Sequence, residues 1–461
     1  MARMRTETDS MGAMRVPADA LYGAQTARAV ENFPVSGWPL PRAFLSAVAM
    51  IKQAAAEVHA SAGRLDKKTA AAIAAAAQEV IDGRHARHFP LDVFQTGSGT
   101  SANMNANEVI ARRAMQLRGA GAAIHPNDHV NMGQSSNDVI PTAMHLSAAM
   151  EIKGRLLPAL RSLQRALAAK AREFDRVVKI GRTHGMDAVP VRLGQEVAGW
   201  AAQVAEAAEV LELTMKRLCA VALGGTAVGT GLNAPKRFAR DVCRLLARRS
   251  GLPIAPAKNY FAAMGAKDAA VFASGALRTA ALALGKVASD VRLLGSGPRC
   301  GLGELIFPAT QPGSSIMPGK VNPVICESVI QVACQVVGCD AAIAAGATGG
   351  VGGILELNVA MPMMAGNLLT AIALLANVAG VFENKCIRGL KADAARCRDL
   401  IEQSLAMVTV LAPRIGYDKA AAIAKQAHAT GKTIRQLCRD LRLLPPRELD
   451  ALLDARKQTG R

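Results

Sequence analysis

The stretch LNVAMPMMAGNLLTAIALLANVAGVF, Leu357 to Phe382, carries no formal charge and is long enough to cross a bilayer. A segment of this kind has two destinations, a membrane or the interior of a large helical assembly. Asn358, Pro362, Asn367 and Asn377 interrupt it, no aromatic belt flanks it, and no signal-peptide pattern precedes it, so the second destination is expected.

Other segments agree with an assembly of helices. LPALRSLQRALAAKAREF (Leu157 to Phe174) and VAGWAAQVAEAAEVLELTMKRL (Val197 to Leu218) place apolar residues at three- and four-residue spacing. Alanine dominates and aromatics are only 3%, which favours helix over sheet. With 461 residues, 51% hydrophobic, the chain can bury a large core and form more than one domain. The expected class is all-α, mainly helical. Residues 1–134 mix Pro, Gly, Asn and His with shorter helices, long helices dominate 135–390, and 391–461 are charged with shorter helices.

Several chemistries are excluded by spacing. GSSIMPGKVNP (Gly313 to Pro323) suggests a phosphate-binding loop. However, five residues rather than four separate Gly313 from Gly319, and Val321 follows Lys320 where a hydroxyl is needed. GTGLNA (from Gly229) and GVGGIL (from Gly350) lack the last glycine of a dinucleotide fingerprint. The nine cysteines are scattered without a C-x-x-C pair, which points to neither zinc nor disulfides and fits a reducing cytoplasm. The net charge of +19 is spread over helix faces such as RFARDVCRLLARR with almost no interleaved aromatics, so no nucleic-acid partner is expected.

Four polar interruptions remain: the opening loop, QTGSGTSANMNANE (Gln95 to Glu108), HPNDHVNMGQSSND (His125 to Asp138) and KIGRTHGMDAVP (Lys179 to Pro190). In two of them Ser, Thr, Asn and Gly run directly into a helical pattern. Backbone N–H groups and the positive end of a helix dipole there suit a carboxylate or phosphate, and two such sites suit a dicarboxylate. Any one cluster taken alone is better explained as capping and turn formation. All of them in one chain, with a Thr183-His184 pair and Lys320-x-Asn322, make that explanation strained.

GSSIMPGKVNP resembles the signature of the fumarase/aspartase superfamily, and the other loops resemble its class II fumarase branch. TETDSMGAMRVPADALYGAQTARAVENF, TGSGTSANMNANEV, HPNDHVNMGQSSND, KIGRTHGMDAVP, GGTAVGTGLN, SGPRCGLGEL and IGYDKAAAIAKQAH follow in family order across nearly the whole chain. The resemblance implies a three-domain fold, divided at 1–134, 135–390 and 391–461, with a central bundle of long helices pooled in a homotetramer. It implies active sites built by three subunits, no metal or organic cofactor, no membrane, and anti addition of water to fumarate giving (S)-malate.

The chemistry assigns work to particular residues. Removing a proton beside a carboxylate creates a doubly charged aci-carboxylate, which needs cations and donors where the charge develops. Lys320 and Asn322 suit that task. A serine hydroxyl becomes a base only when its alkoxide is stabilised. By resemblance Ser314 is the C3 base and Ser315 contacts substrate, while His184, paired with Glu327, is the acid/base on the water face. Ser98, Gly99, Thr100, Ser135, Ser136, Asn137 and Thr183 match the family's substrate-binding positions, and His125, Asn127 and Asp128 a secondary dicarboxylate site.

Three departures from the family pattern stand out. Ala122 occupies the place of an arginine in the secondary site, GATGGVGG (Gly346 to Gly353) is richer in glycine than usual, and Ala360 stands where an aromatic is common. Two alternatives to hydration stay open at this level. One is an ammonia lyase such as aspartase, against which His184 counts, and the other is a non-enzymatic basic binding protein.

Overall fold

The structure, a computed structural model, describes residues 3–119 and 121–460. Among the described residues, twelve α-helices precede the C-terminal region: α1 (Ala24–Asn32), α2 (Arg42–Ser61), α3 (Lys67–Ile81), α4 (Thr100–Arg118), α5 (Ser136–Glu151), α6 (Leu157–Glu173), α7 (Leu193–Leu218), α8 (Phe238–Ser250), α9 (Tyr260–Gly265), α10 (Asp268–Leu294), α11 (Val324–Ala347) and α12 (Met361–Lys385). Shorter ones follow: α13 (Ala394–Gln403), α14 (Ala412–Ile415), α15 (Tyr417–Thr430), α16 (Ile434–Asp440) and α17 (Pro446–Leu452). The mainly helical expectation holds. Long helices are not confined to the middle of the chain, however, because α2 has 20 residues and α4 has 19. α2 buries Ala and Met and α4 buries Ala, Met and Asn, so length came from burial rather than from a visible amphipathic stripe.

Two of the polar interruptions are hairpins rather than loops. β1 (Met4–Asp9) pairs antiparallel with β2 (Gly12–Pro17), and β3 (Val178–Thr183) with β4 (Met186–Arg192). The first is tied down by Arg5, whose guanidinium donates to the carbonyls of Pro17, Ala20 and Tyr22 at 2.7 Å each. One side chain thereby joins the hairpin to the approach of α1.

The chain divides into two compact units, residues 1–158, 209–281 and 333–376 in the first and 159–208, 282–332 and 377–461 in the second. In the first, α2 packs against α3, α5 and α8, burying Phe44, Ile51, Ile73 and Ile140. Each such side chain contributes about 1.5–3 kcal/mol. In the second, the C-terminal helices enclose Ile401, Met407, Leu411, Ile423, Leu437 and Leu449, and Ile180 of β3 inserts into that cluster.

The uncharged stretch begins as strand and becomes helix. Leu357–Asn358 pairs with Gly353–Ile354, Asn358 Oδ1 accepts from Ala360 N at 2.9 Å, and α12 starts at Met361. Pro362 lies in the first turn, where a missing N–H removes no helical bond. By length and composition α10, α11 and the helix from Met361 could each cross a membrane, but 61% of the most apolar window of the last is already buried inside the chain.

Candidate active site

In the first unit, two helix N-termini meet. α4 begins at Thr100 after Gly99, which adopts φ +73°, and a Cβ there would lie 2.8 Å from Ile140. Only glycine fits both the backbone conformation and the space. α5 begins at Ser136 behind a capping box in which Ser135 Oγ accepts from Asn137 N at 3.2 Å and Asp138 Oδ1 accepts from Ser135 N at 2.9 Å. The hydroxyls of Ser98 and Thr100 share a hydrogen bond at 2.9 Å, and those of Thr100 and Ser136 at 2.7 Å. Asn137 Nδ2 donates to Ala227 O at 2.8 Å. The residues matched from the sequence, Ser98, Gly99, Thr100, Ser135, Ser136 and Asn137, are thus one cluster. It combines two dipole ends with three linked hydroxyls, an arrangement suited to an anion.

Beneath this cluster lies a buried pair. Asp138 and Lys52 are both 0% exposed. Burial pushes the Asp138 carboxyl up to about 6, against three backbone N–H bonds and the nearby Lys52 charge. It pulls the Lys52 ammonium down to about 7. Lys52 Nζ donates to Asn131 Oδ1 at 2.8 Å and Gln134 Oε1 at 3.1 Å, in the turn leading into Ser135. Sequence reasoning missed both residues as parts of the site. Asp138 carried a signal, the three-residue spacing from Ser135. Lys52, a single charge in the apolar run of α2, carried none.

In the second unit, Thr183 and His184 stand exposed at the tip of the β3–β4 hairpin. His184 and Gly185 have φ of 59° and 74°, both positive, as in the two-residue turns whose twist matches a hairpin. A non-glycine residue in that region is strained and persists only where the surroundings impose it. The strand that leads into the turn is anchored one residue before Thr183. Arg182 grips the fully buried Glu304 with two bonds of 2.9 Å, and Lys179 lies 3.1 Å from the same carboxylate.

The Gly313 to Pro323 loop closes on itself. Gly313 N donates to Lys320 O at 2.8 Å, and Asn322 Nδ2 donates to Gly313 O at 2.6 Å. Inside the closure, Ser314 Oγ accepts from the backbone N–H of Met317 at 3.0 Å and of Ile316 at 3.2 Å. Ser315 and Lys320 are exposed, as is Glu327 in the first turn of α11. Among the described residues no hydrogen bond or ion pair joins His184 to Glu327 or to Ser314.

His125, Asn127 and Asp128 lie at a wide, π-type helical turn, Pro126–Val130, where His125 Nδ1 is 3.1 Å from Asp128 Oδ2. His125 and Asn127 line a cavity of about 530 Å³ together with Arg5, Glu7, Glu108 and Arg112. Arg112 is 2.7 Å from Glu7. Ala122 contributes no cation, and the two guanidinium groups come from β1 and α4 instead.

Residues 12–338 match the lyase family and residues 407–460 the fumarase C C-terminus. A fumarate hydratase class II of Chromobacterium violaceum is 52% identical over 452 residues, 97% of each chain. This chain belongs to the class II fumarase family. The fumarate hydratase class II of Mycobacterium tuberculosis is 53% identical over 458 residues, 98% of this chain and 95% of that one. In three dimensions a class II fumarase from Schistosoma mansoni superimposes with a TM-score of 0.95 at 42% identity, covering 99% of both chains. Fumarase membership makes the chain a lyase.

Proposed function

We propose that the protein is a fumarate hydratase that interconverts fumarate and (S)-malate by anti addition of water. The single observation that carries the chemistry is the pair of backbone N–H groups aimed at Ser314 Oγ. Negative charge on that oxygen is stabilised by the two donors, which is what a serine needs to remove the C3 proton. Lys320 and Asn322 then offset charge on the aci-carboxylate, and Ser315 contacts the substrate. His184, with Glu327 supporting its basicity, gives or takes the proton of the water on the opposite face. Ser98, Gly99, Thr100, Ser135, Ser136, Asn137 and Thr183 hold the carboxylates, with His125, Asn127 and Asp128 as a secondary dicarboxylate site.

In this reading the enzyme is a cytoplasmic homotetramer of the tricarboxylic acid cycle, needing neither metal nor organic cofactor. Only 39% of the most apolar window of α11 is buried within one chain, and Val337, Phe272 and Leu293 are exposed, which favours pooling of long helices between copies. Exposure of Thr183, His184, Lys320 and Glu327 in a single chain suits a site completed by neighbouring subunits. The segments 1–134, 135–390 and 391–461 would then be an N-terminal lyase domain, the bundle and a small C-terminal domain.

The test is spectrophotometric. The purified protein should consume and form fumarate in exchange with malate and release no ammonia from aspartate. Ammonia from aspartate without turnover of malate would overturn the reading in favour of an ammonia lyase.

A further inference from the structure

Asn137 is aimed by residues that the sequence places far away. Its Nδ2 is committed to Ala227 O, so its orientation depends on where the segment Gly224–Ala227 lies. That segment is strained. Thr226 is β-branched, has φ +54°, is 4% exposed, and its Oγ1 is buried without a hydrogen-bond partner. A residue of this kind holds such a conformation only where its neighbours over-determine it. The neighbour here is Asp138, whose Oδ2 accepts from Gly224 N and Thr226 N at 3.0 Å each while its Oδ1 accepts from Ser135 N. Upstream, Lys52 pins Asn131 and Gln134, and Asn131 Oδ1 also accepts from Asn103 Nδ2 of α4 at 3.1 Å. The turn that offers Ser135, Ser136 and Asn137 is therefore clamped at both ends by two fully buried charges.

We propose that Asp138 is a positioning residue for the dicarboxylate pocket, locking the Ser135–Asn137 turn against the strained Gly224–Ala227 segment so that the hydroxyls and the Asn137 amide face the substrate carboxylate. The proposal rests on the reading of this cluster as the substrate-binding half of a fumarate hydratase. Asp138 acts through these groups and does not itself touch substrate.

Asp138→Asn keeps the side-chain volume but turns one acceptor into a donor facing backbone N–H groups, so at least one of the three bonds is lost. KM for fumarate and malate, kcat, and the Kd of succinate by calorimetry are measured on folded protein. We expect KM and the succinate Kd to rise by about 10-fold or more, as loss of about one charge-assisted hydrogen bond implies, with kcat within about threefold of wild type. A merely structural role would instead reduce the folded fraction and leave KM and Kd unchanged. Because Asp138→Asn removes the carboxylate that favours the buried Lys52 ammonium, the double variant Lys52→Met/Asp138→Asn, which removes both groups together, provides a second arm if the single variant does not fold. Folded variants that bind succinate within about twofold of wild type would overturn the proposal. If wild-type protein binds succinate but hydrates no fumarate, and the variant binds it more weakly, the positioning role stands and the assigned reaction falls. A wild-type protein that neither binds succinate nor turns over fumarate or malate refutes both.

Discussion

The hydroxyl of Thr100 lies 2.7 Å from that of Ser136, bringing the first turns of α4 and α5 to one point although the two residues are 36 apart in sequence. That contact sets two helix N-termini, each with its positive dipole end, side by side. Thr100→Val keeps the shape and removes the central hydroxyl. We predict a rise in KM of about 10- to 100-fold, the range for one hydrogen bond to a charged group, with little change in melting temperature. Steady-state kinetics and calorimetry check it.

Ser314 and His184 should fail in different steps. Ser314→Ala removes the base but leaves Lys320 and the anion cluster, so kcat should fall by about 10² to 10⁴ while substrate still binds. His184→Asn should also lower kcat, yet exchange of the malate C3 proton into deuterated solvent, where wild type shows it, should continue through Ser314. Exchange lost in His184→Asn and kept in Ser314→Ala would reverse the two roles.

The glycine-rich turn after α11 is a close backbone contact. A Cβ on Gly352 would lie 1.8 Å from Gly346 O and 3.1 Å from the Ala360 side chain. The small residue at 360 and the extra glycines thus fit one another. Gly352→Ala should destabilise the protein by about 1–3 kcal/mol, the usual cost of overpacking, and thermal unfolding would show it as a lower melting temperature.

Acid stability should depend on Glu79. Its carboxylate is held by Arg113 at 2.6 and 3.0 Å and by His85 at 2.7 Å, which lowers it to about 2 from 4.5, Arg113 being the larger influence. A depressed folded value means the stabilisation is fully present above the unfolded value and is lost as pH falls through the folded one. The stabilisation is present at neutral pH and is lost between about pH 5 and pH 2. Arg113→Met should be less stable than wild type at neutral pH, with the gap narrowing in that window. Urea unfolding at several pH values measures it, and a gap independent of pH would count against the pair.

Local chemistry was legible in the residues themselves. The spacing of apolar residues from Leu157 marked a helix that ends within a residue of the expected Phe174, and Ser135 with Asp138 carried a capping box. Each depends on groups within one or two turns, so the sequence alone determined them, together with the helical class. The hairpin under His184 was read as a loop, because its turn is His-Gly rather than Asn-Gly and its ladder is irregular between Ile180 and Arg182. The burial of Lys52, the grip of Arg182 on Glu304 and the bonds from Asp138 to Gly224 and Thr226 join residues between 79 and 122 positions apart. No periodicity encodes such contacts. Tertiary structure decided them, since a buried charge is tolerated only where the folded chain brings enough donors and countercharges to replace water.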